Sequence, residues 1–296
     1  MAKNLERIAE SYKVSPGRKF RIASCDPADT RGLDLSKKQA NAMLAAGIVK
    51  LADLQTRLYA QDCWSLLVVL QAMDAAGKDS TIKHVMSGIN PQGCQVVAFK
   101  APSAHELDHD FLWRCSRELP ERGRIGIFNR SQYEEVLVVR VHPKLLAGQR
   151  LAPSLVGKDV WRERYESIND FERHLARNGT RIVKFFLNVS KEEQRKRFLE
   201  RLEEPEKNWK FSVEDVRNRE CWNEYMRAYE DAISATSTDW APWYAVPADH
   251  KWFTRLIVAQ VIVATLEKLG LEYPKVDAER KRELAKARKA LEKEKG

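Results

Sequence analysis

The chain has 296 residues, 44% of them hydrophobic and 31% charged, with a formal net charge of +9. That suits one large domain or two small ones around a substantial core, and it excludes a disordered body. The longest uncharged apolar run, 256–266, is far shorter than the ~20 residues a membrane helix needs.

The opening MAKNLERIAE lacks the apolar centre of a signal peptide, so a cytoplasmic protein without a membrane partner is expected. Five cysteines (Cys25, Cys63, Cys94, Cys115 and Cys221) form no C-x-x-C pair and read as free thiols rather than a disulfide framework or zinc site. The basic excess is partly peripheral. The segment 275–296 carries nine Lys or Arg against five Asp or Glu, the pattern of a solvated basic helix or tail.

Taken in order, residues 1–35 are polar and punctuated by Pro16, Gly17, Pro27 and Gly32, which predicts an extended arm. Residues 36–60 are rich in Ala, Leu, Lys and Gln and read as helix. Short apolar runs follow at 65–70 (SLLVVL), 94–99 (CQVVAF), 124–128 (RIGIF), 181–187 (RIVKFFL) and 243–246 (WYAV). Near-continuous apolar strands are expected where both faces of a parallel sheet are covered. Helical patterns separate them: Trp161, Tyr165, Ile168, Phe171 and Leu175 share one stripe. The alternation predicts a three-layer α/β/α sandwich, residues 36–274 forming one domain, with ligands at the carboxyl ends of the strands.

The first strong strand runs into QAMDAAGKDSTI, residues 71–82. Strand, small-residue turn, Gly-Lys and helix is the context of a P-loop of the Walker A type. Its backbone N–H groups and helix N-terminus favour anionic oxygens, and Lys78 adds a mobile charge. Ala75, Ala76, Gly77, Asp79 and Ser80 would line this cradle. The match to G-x-x-x-x-G-K-[ST] departs at Ala72, in place of the first glycine, and at Asp79, in place of Ser or Thr. Asp74 would repel phosphate, so it reads as a Mg²⁺ ligand, an acceptor-facing group or a local turn residue.

The RIGIF strand leads into Asn129 and Arg130, then Ser131-Gln132-Tyr133-Glu134-Glu135. Asn129 stands where many P-loop enzymes carry an acidic metal ligand, and Arg130 would brace a transferring phosphoryl group. Glu134 and Glu135 read as metal or acceptor-orienting groups, or as surface carboxylates. Ser190 to Glu193 has the form of a capping box. The helix it opens aligns Gln194, Arg197 and Arg201 on one face, with Phe198 and Leu202 beside them and Arg195 toward the other side. With Lys207 and Lys210 beyond Pro205, this predicts a helical lid over about 190–235. Lys83, Lys100, Arg114 and Arg117 lie near the predicted strand ends and suit a long polyanion.

Four motifs in this order, QAMDAAGKDSTIKHV, GINPQGCQVVAFKAPS, PERGRIGIFNRSQYEEVLVVRVHP and VSKEEQRKRFLERLEEPEKNWKFS, resemble the second family of polyphosphate kinases over roughly residues 15–270. The resemblance implies a thymidylate-kinase-like α/β/α fold with a helical lid. It implies inorganic polyphosphate as phosphoryl donor, Mg²⁺ (Mn²⁺ as substitute), adenine nucleotides as acceptors with guanine nucleotides as a further option, and a homodimer or homotetramer. By motif, Asp74, Lys78, Asn129, Arg130, Arg197 and Arg201 become the catalytic set, with Asp74 as metal ligand. Lys83, Arg114, Arg117, Lys207 and Lys210 join the P-loop in binding polyphosphate, and Asn90, Pro91, Phe99, Lys100 and Glu134 bind nucleotide. The N-R-S-x-Y-E-[DE]-V-L-V form is similar to the subgroup that phosphorylates both AMP and ADP. An ATP-dependent nucleoside monophosphate kinase and a non-catalytic polyanion binder are the competing readings. No nucleic-acid motif is present.

Overall fold

The computed structural model describes residues 2–294. Five strands form one sheet in the order β2-β3-β1-β4-β5: β1 Ser65–Gln71, β2 Cys94–Ala98, β3 Ile125–Asn129, β4 Thr180–Asn188 and β5 Trp243–Pro247. All four pairings are parallel. β1, β3 and β5 are buried along almost their whole length, which is why their sequences run apolar without alternation.

Helices cover the sheet. Lys37–Gln61 starts at a complete capping box, Ser36 with Gln39, and packs against the apolar helix Lys251–Glu267. The predicted stripe helix is Val160–Arg177, with Ile168 and Leu175 buried.

The chain leaves central β1 for edge strand β2, returns to β3 on one flank of β1, and then crosses to β4 on the other. β1 therefore borders the point where the winding reverses, the place where open α/β sheets hold ligands. Register fixes the mouth. Leu70 pairs with Asn129, the Arg130 N–H donates to the Leu70 carbonyl at 3.0 Å, and the Phe99 N–H donates to the Asn129 carbonyl at 3.1 Å. Gln71, Phe99 and Arg130 thus meet at one edge.

The arm departs from expectation. It opens with the helix Ala2–Glu10, which packs on Lys251–Glu267 and buries Leu5, Ile8 and Ala9. Beyond it, Lys13 bridges Tyr244 in antiparallel sense, flanked by Val14 N–H to the Trp243 carbonyl (2.8 Å) and Ala245 N–H to the Tyr12 carbonyl (2.9 Å). The segment covers the open edge of β5, whose backbone groups need partners.

The span 190–235, expected to form a lid, opens with the helices Lys191–Glu203 and Val213–Glu220, joined by the turn Pro205–Lys210. The next helix, Trp222–Thr236, buries Tyr225, Ala228, Tyr229, Ala232 and Ile233 and belongs to the core. Of the two apolar residues expected beside the arginine face, Leu202 is exposed, whereas Phe198 is buried and stands 6.2 Å edge-on from Phe211.

Candidate active site

Beyond β1 the backbone turns through Ala75 at φ +60° and Gly77 at φ +108° before the helix Lys78–Val85 begins. Left-handed residues interspersed in such a turn direct successive N–H groups toward one point. Ala75 adopts this conformation at a steric cost that glycine would avoid. The Lys78 ammonium donates to the carbonyls of Ala72 (2.7 Å) and Met73 (3.3 Å). Burial lowers its pKa, and Asp74 is the largest opposing influence.

Arg130 is the second left-handed non-glycine residue here, at φ +66°. Its guanidinium donates to Asp74 at 2.7 Å and to Glu134 at 3.3 Å. Burial pulls its pKa down, but Glu134 and Asp74 more than offset this, so it is held firmly charged. Glu134 also accepts from Gln71 at 2.9 Å, and the Asn129 amide donates to Asp79 at 2.7 Å. Asp74, Lys78, Asn129, Arg130, Asp79 and Glu134 are thus brought together from the ends of two adjacent strands. Glu135 is different: it is buried, paired with Arg164 at 3.0 Å and bonded by Gln149 at 2.7 Å, a structural role.

Arg197 does not stand free as a lid cation. It is 4% exposed and donates to the carbonyls of Ala75 (3.1 Å), Ala76 (2.8 Å), Ala248 (2.7 Å) and Asp249 (3.0 Å), with Glu193 at 2.8 Å. Its neighbour Gln194 donates to the Asp74 carbonyl at 2.9 Å. Glu193 is spent on Arg197, so only the Ser190 half of the predicted capping box forms. The helix therefore grips the phosphate loop by its carbonyls. Arg201, one turn on, is less confined. It is 3.8 Å from Asp215, whose pKa is raised by burial first and Asp74 second.

A cavity of about 360 Å³ opens beside Arg130, lined among others by Phe99, Lys100, Arg114, Glu134 and Val138. Phe99 meets Phe128 edge-on at 4.9 Å, and the Arg114 guanidinium lies 5.2 Å from the Phe99 ring centre. Arg114 is also tied to Glu106 at 3.2 Å and donates to the Lys100 carbonyl at 2.9 Å. It belongs to this cavity rather than to an open polyanion track. Arg117 lies over the Trp113 ring at 4.8 Å and does not line the cavity; Lys83 is exposed on the P-loop helix.

Asn90 and Pro91 precede β2 and sit at the amino-terminal edge of the parallel sheet, opposite the phosphate loop. That position separates them from the site, and they leave the nucleotide-binding set. The Ser80 hydroxyl accepts from Arg255 at 2.7 Å, a partner on the last core helix that no motif signalled. The side chains of Lys207 and Lys210 lie outside the described residues.

A parallel sheet with a lysine-bearing phosphate loop after its central strand, and an arginine at the end of the adjacent strand, defines a P-loop kinase. The family model for polyphosphate kinase 2 (PPK2) matches residues 34–272, and the chain belongs to that family. It is 53% identical over 283 residues to an ADP-polyphosphate phosphotransferase of Rhodopseudomonas palustris, covering 95% of this chain and 98% of the relative. Against an AMP/ADP-polyphosphate phosphotransferase of Meiothermus ruber it is 46% identical over 265 residues, covering 90% and 95%. The crystal structure of polyphosphate kinase 2 from Arthrobacter aurescens superposes with a TM-score of 0.84 at 43% identity, covering 94% of this chain and 95% of that one.

Proposed function

We propose that the chain transfers a phosphoryl group reversibly between inorganic polyphosphate and AMP or ADP, with guanine nucleotides as secondary acceptors. The observation that carries this reading is the convergence of Lys78, Asp74 and Arg130 between the phosphate loop and the Phe99–Arg114 cavity. The loop takes the donor phosphate on its N–H groups, and the nucleotide occupies the cavity with Phe99 and Lys100 as its wall. Arg130, held by Asp74 and Glu134, faces the gap between them and neutralises charge on the group in flight. Arg201, and the lid it rides on, closes over the phosphates and excludes water.

Among the described residues no three His, Cys, Asp or Glu side chains gather as a preformed metal cage. That suits Mg²⁺, which is commonly held by one or two carboxylates together with substrate phosphates and water. Asp74 is the fitting ligand, since Arg130 engages one of its oxygens, and Asn129 fits a water-mediated contact. When bound, the ion supplies charge neutralisation between donor and acceptor phosphates; Mn²⁺ has similar demands. No described helix is long and apolar enough to cross a membrane. A cytoplasmic homodimer or homotetramer completes the reading.

The test is ATP formation from ADP or AMP with polyphosphate and Mg²⁺. Lys78→Ala and Arg130→Ala should each lower turnover by ~10³-fold or more while far-ultraviolet circular dichroism stays unchanged. Near-normal turnover in either folded variant, or ATP-to-AMP transfer without any use of polyphosphate, overturns the reading.

A further inference from the structure

Gln71 opens the stretch that carries the phosphate loop, yet the sequence assigns it no role. It is the last residue of central β1, fully buried, and in register with Phe186 of β4. A buried side-chain amide is costly unless both of its ends find partners. Here only one end does. Gln71 Nε2 donates to Glu134 Oε1 at 2.9 Å, while the buried Gln71 Oε1 has no hydrogen-bond partner. The two ends are not interchangeable, because the flipped amide would set its oxygen against a carboxylate oxygen. An unsatisfied buried oxygen adds nothing to stability, so the contribution of Gln71 lies in its N–H end.

That end completes the hold on a carboxylate. Glu134 Oε2 accepts from Arg130 Nη1 at 3.3 Å, and Oε1 accepts from Gln71. Arg130 Nη2 meanwhile donates to Asp74 at 2.7 Å. A run of contacts from Gln71 through Glu134 and Arg130 to Asp74 thus joins the end of β1 to the phosphate loop. Donors on both oxygens fix the plane of the Glu134 carboxylate, and that plane sets the orientation of the Arg130 fork. Without the Gln71 donor, Glu134, whose side chain is 28% exposed, can rotate toward water. Arg130 then keeps its charge and its Asp74 contact but loses its aim.

The chemistry of the pair matters as much as its geometry. Tyr229, buried on the helix Trp222–Thr236, has its pKa raised by burial first and by Glu134 next. Lys78 lies within the field of the same carboxylate. A second negative charge at position 71 would face Glu134 directly and compete with it for Arg130. We propose that Gln71 is a positioning residue for phosphoryl transfer: it fixes Glu134, which aims Arg130, and the reaction needs one amide facing one carboxylate at positions 71 and 134. This rests on the phosphotransfer reading above. Gln71 acts through Glu134 and Arg130 rather than through contact with substrate.

The variants to compare are Gln71→Met, Gln71→Glu, Glu134→Gln and the exchange Gln71→Glu with Glu134→Gln. The measurements are steady-state ATP formation from ADP and polyphosphate, and urea unfolding. Gln71→Met removes a buried oxygen that has no partner, so its unfolding midpoint should hold or rise. Its kcat and kcat/KM should nevertheless fall together by roughly 30-fold, the sign of an interaction made in the transition state. Gln71→Glu and Glu134→Gln should each lower kcat by roughly 100-fold. The exchange should return to within about fivefold of wild type, because it restores one amide opposite one carboxylate. Wild-type kcat in Gln71→Met, or a loss of kcat that only tracks a lowered midpoint, overturns the proposal. So does a folded exchange variant no more active than its single parents. If Gln71→Glu does not fold, Gln71→Met alone decides. A wild-type chain that forms no ATP sinks the kinase reading and this one with it. ATP formation indifferent to Gln71→Met sinks the positioning role alone.

Discussion

Arg197 and Arg201 stand one helical turn apart with the same charge, and the structure separates their work. Arg197 places its guanidinium between two stretches of backbone, 75–76 and 248–249, and satisfies four carbonyls. Removing it leaves those acceptors and Glu193 without their donor in a dry place. Hydrogen bonds to a charged group are worth ~1.5–3 kcal/mol, so Arg197→Met should lower unfolding stability by at least that amount and disorder the phosphate loop. Arg201 is a quarter exposed, 3.8 Å from Asp215 and with its guanidinium 5.6 Å from the Phe198 ring centre. Arg201→Met should leave stability within ~0.5 kcal/mol and still depress turnover. Urea unfolding midpoints set beside turnover decide it; equal midpoints for Arg197→Met and wild type mean that the clamp is not structural. Arg130 adds a related lesson. Its positive φ is a strain that the Leu70 backbone contact and two carboxylates hold in place.

At the scale of elements, all five strands were legible because each is a short apolar run bounded by polar turns, and the inner strands of the parallel sheet are buried on both faces, although edge strand β2 is not. The phosphate loop was legible because its chemistry needs Gly-Lys at the end of such a strand. The N-terminal helix was not, since Pro16 and Gly17 dominated the reading of 1–35 while Leu5, Ile8 and Tyr12 form a stripe that needs the apolar helix Lys251–Glu267 and β5 to give it meaning. Arg197 looked like a lid cation because helical facing cannot reveal whether a face meets solvent or carbonyls. Lys184, a lysine inside the apolar run of β4, drew no role from the sequence. In the fold its ammonium donates to Glu172, to the Tyr133 hydroxyl and to the Thr236 carbonyl, all of it fully buried. Burial lowers the Lys184 pKa and raises that of Glu172, and each partner opposes the shift in the other. Gln132 and Tyr133 also donate to Glu172, so the network pins the turn Gln132–Val136 that carries Glu134. Glu172→Leu should cost ~3–5 kcal/mol by stranding a buried charge, and adding Lys184→Met should restore most of it. A double variant no more stable than the single one, by urea unfolding, refutes the coupling.

The whole molecule carries its charge unevenly. The helix Ala278–Leu291 has no buried residue; Arg280 pairs with Glu283 inside it, and Arg288 pairs with Glu292 at its C-cap. Residues 275–296 nevertheless supply nearly half of the net charge of +9. The apolar burial of the helix Ala278–Leu291 contributes next to nothing, since stabilisation follows the area removed from water. What they do supply is a long-range field, which acts on encounter rates rather than on the bound complex and fades beyond a Debye length of ~8 Å at physiological salt. Truncation after residue 274 should therefore leave the thermal unfolding midpoint and kcat unchanged. At low ionic strength it should reduce kcat/KM for long-chain polyphosphate by roughly two- to threefold, with the difference vanishing as salt is raised. A lowered midpoint would instead mean that the tail packs against another copy of the chain, and a salt-independent loss of kcat/KM would place its lysines and arginines in contact with the polymer itself.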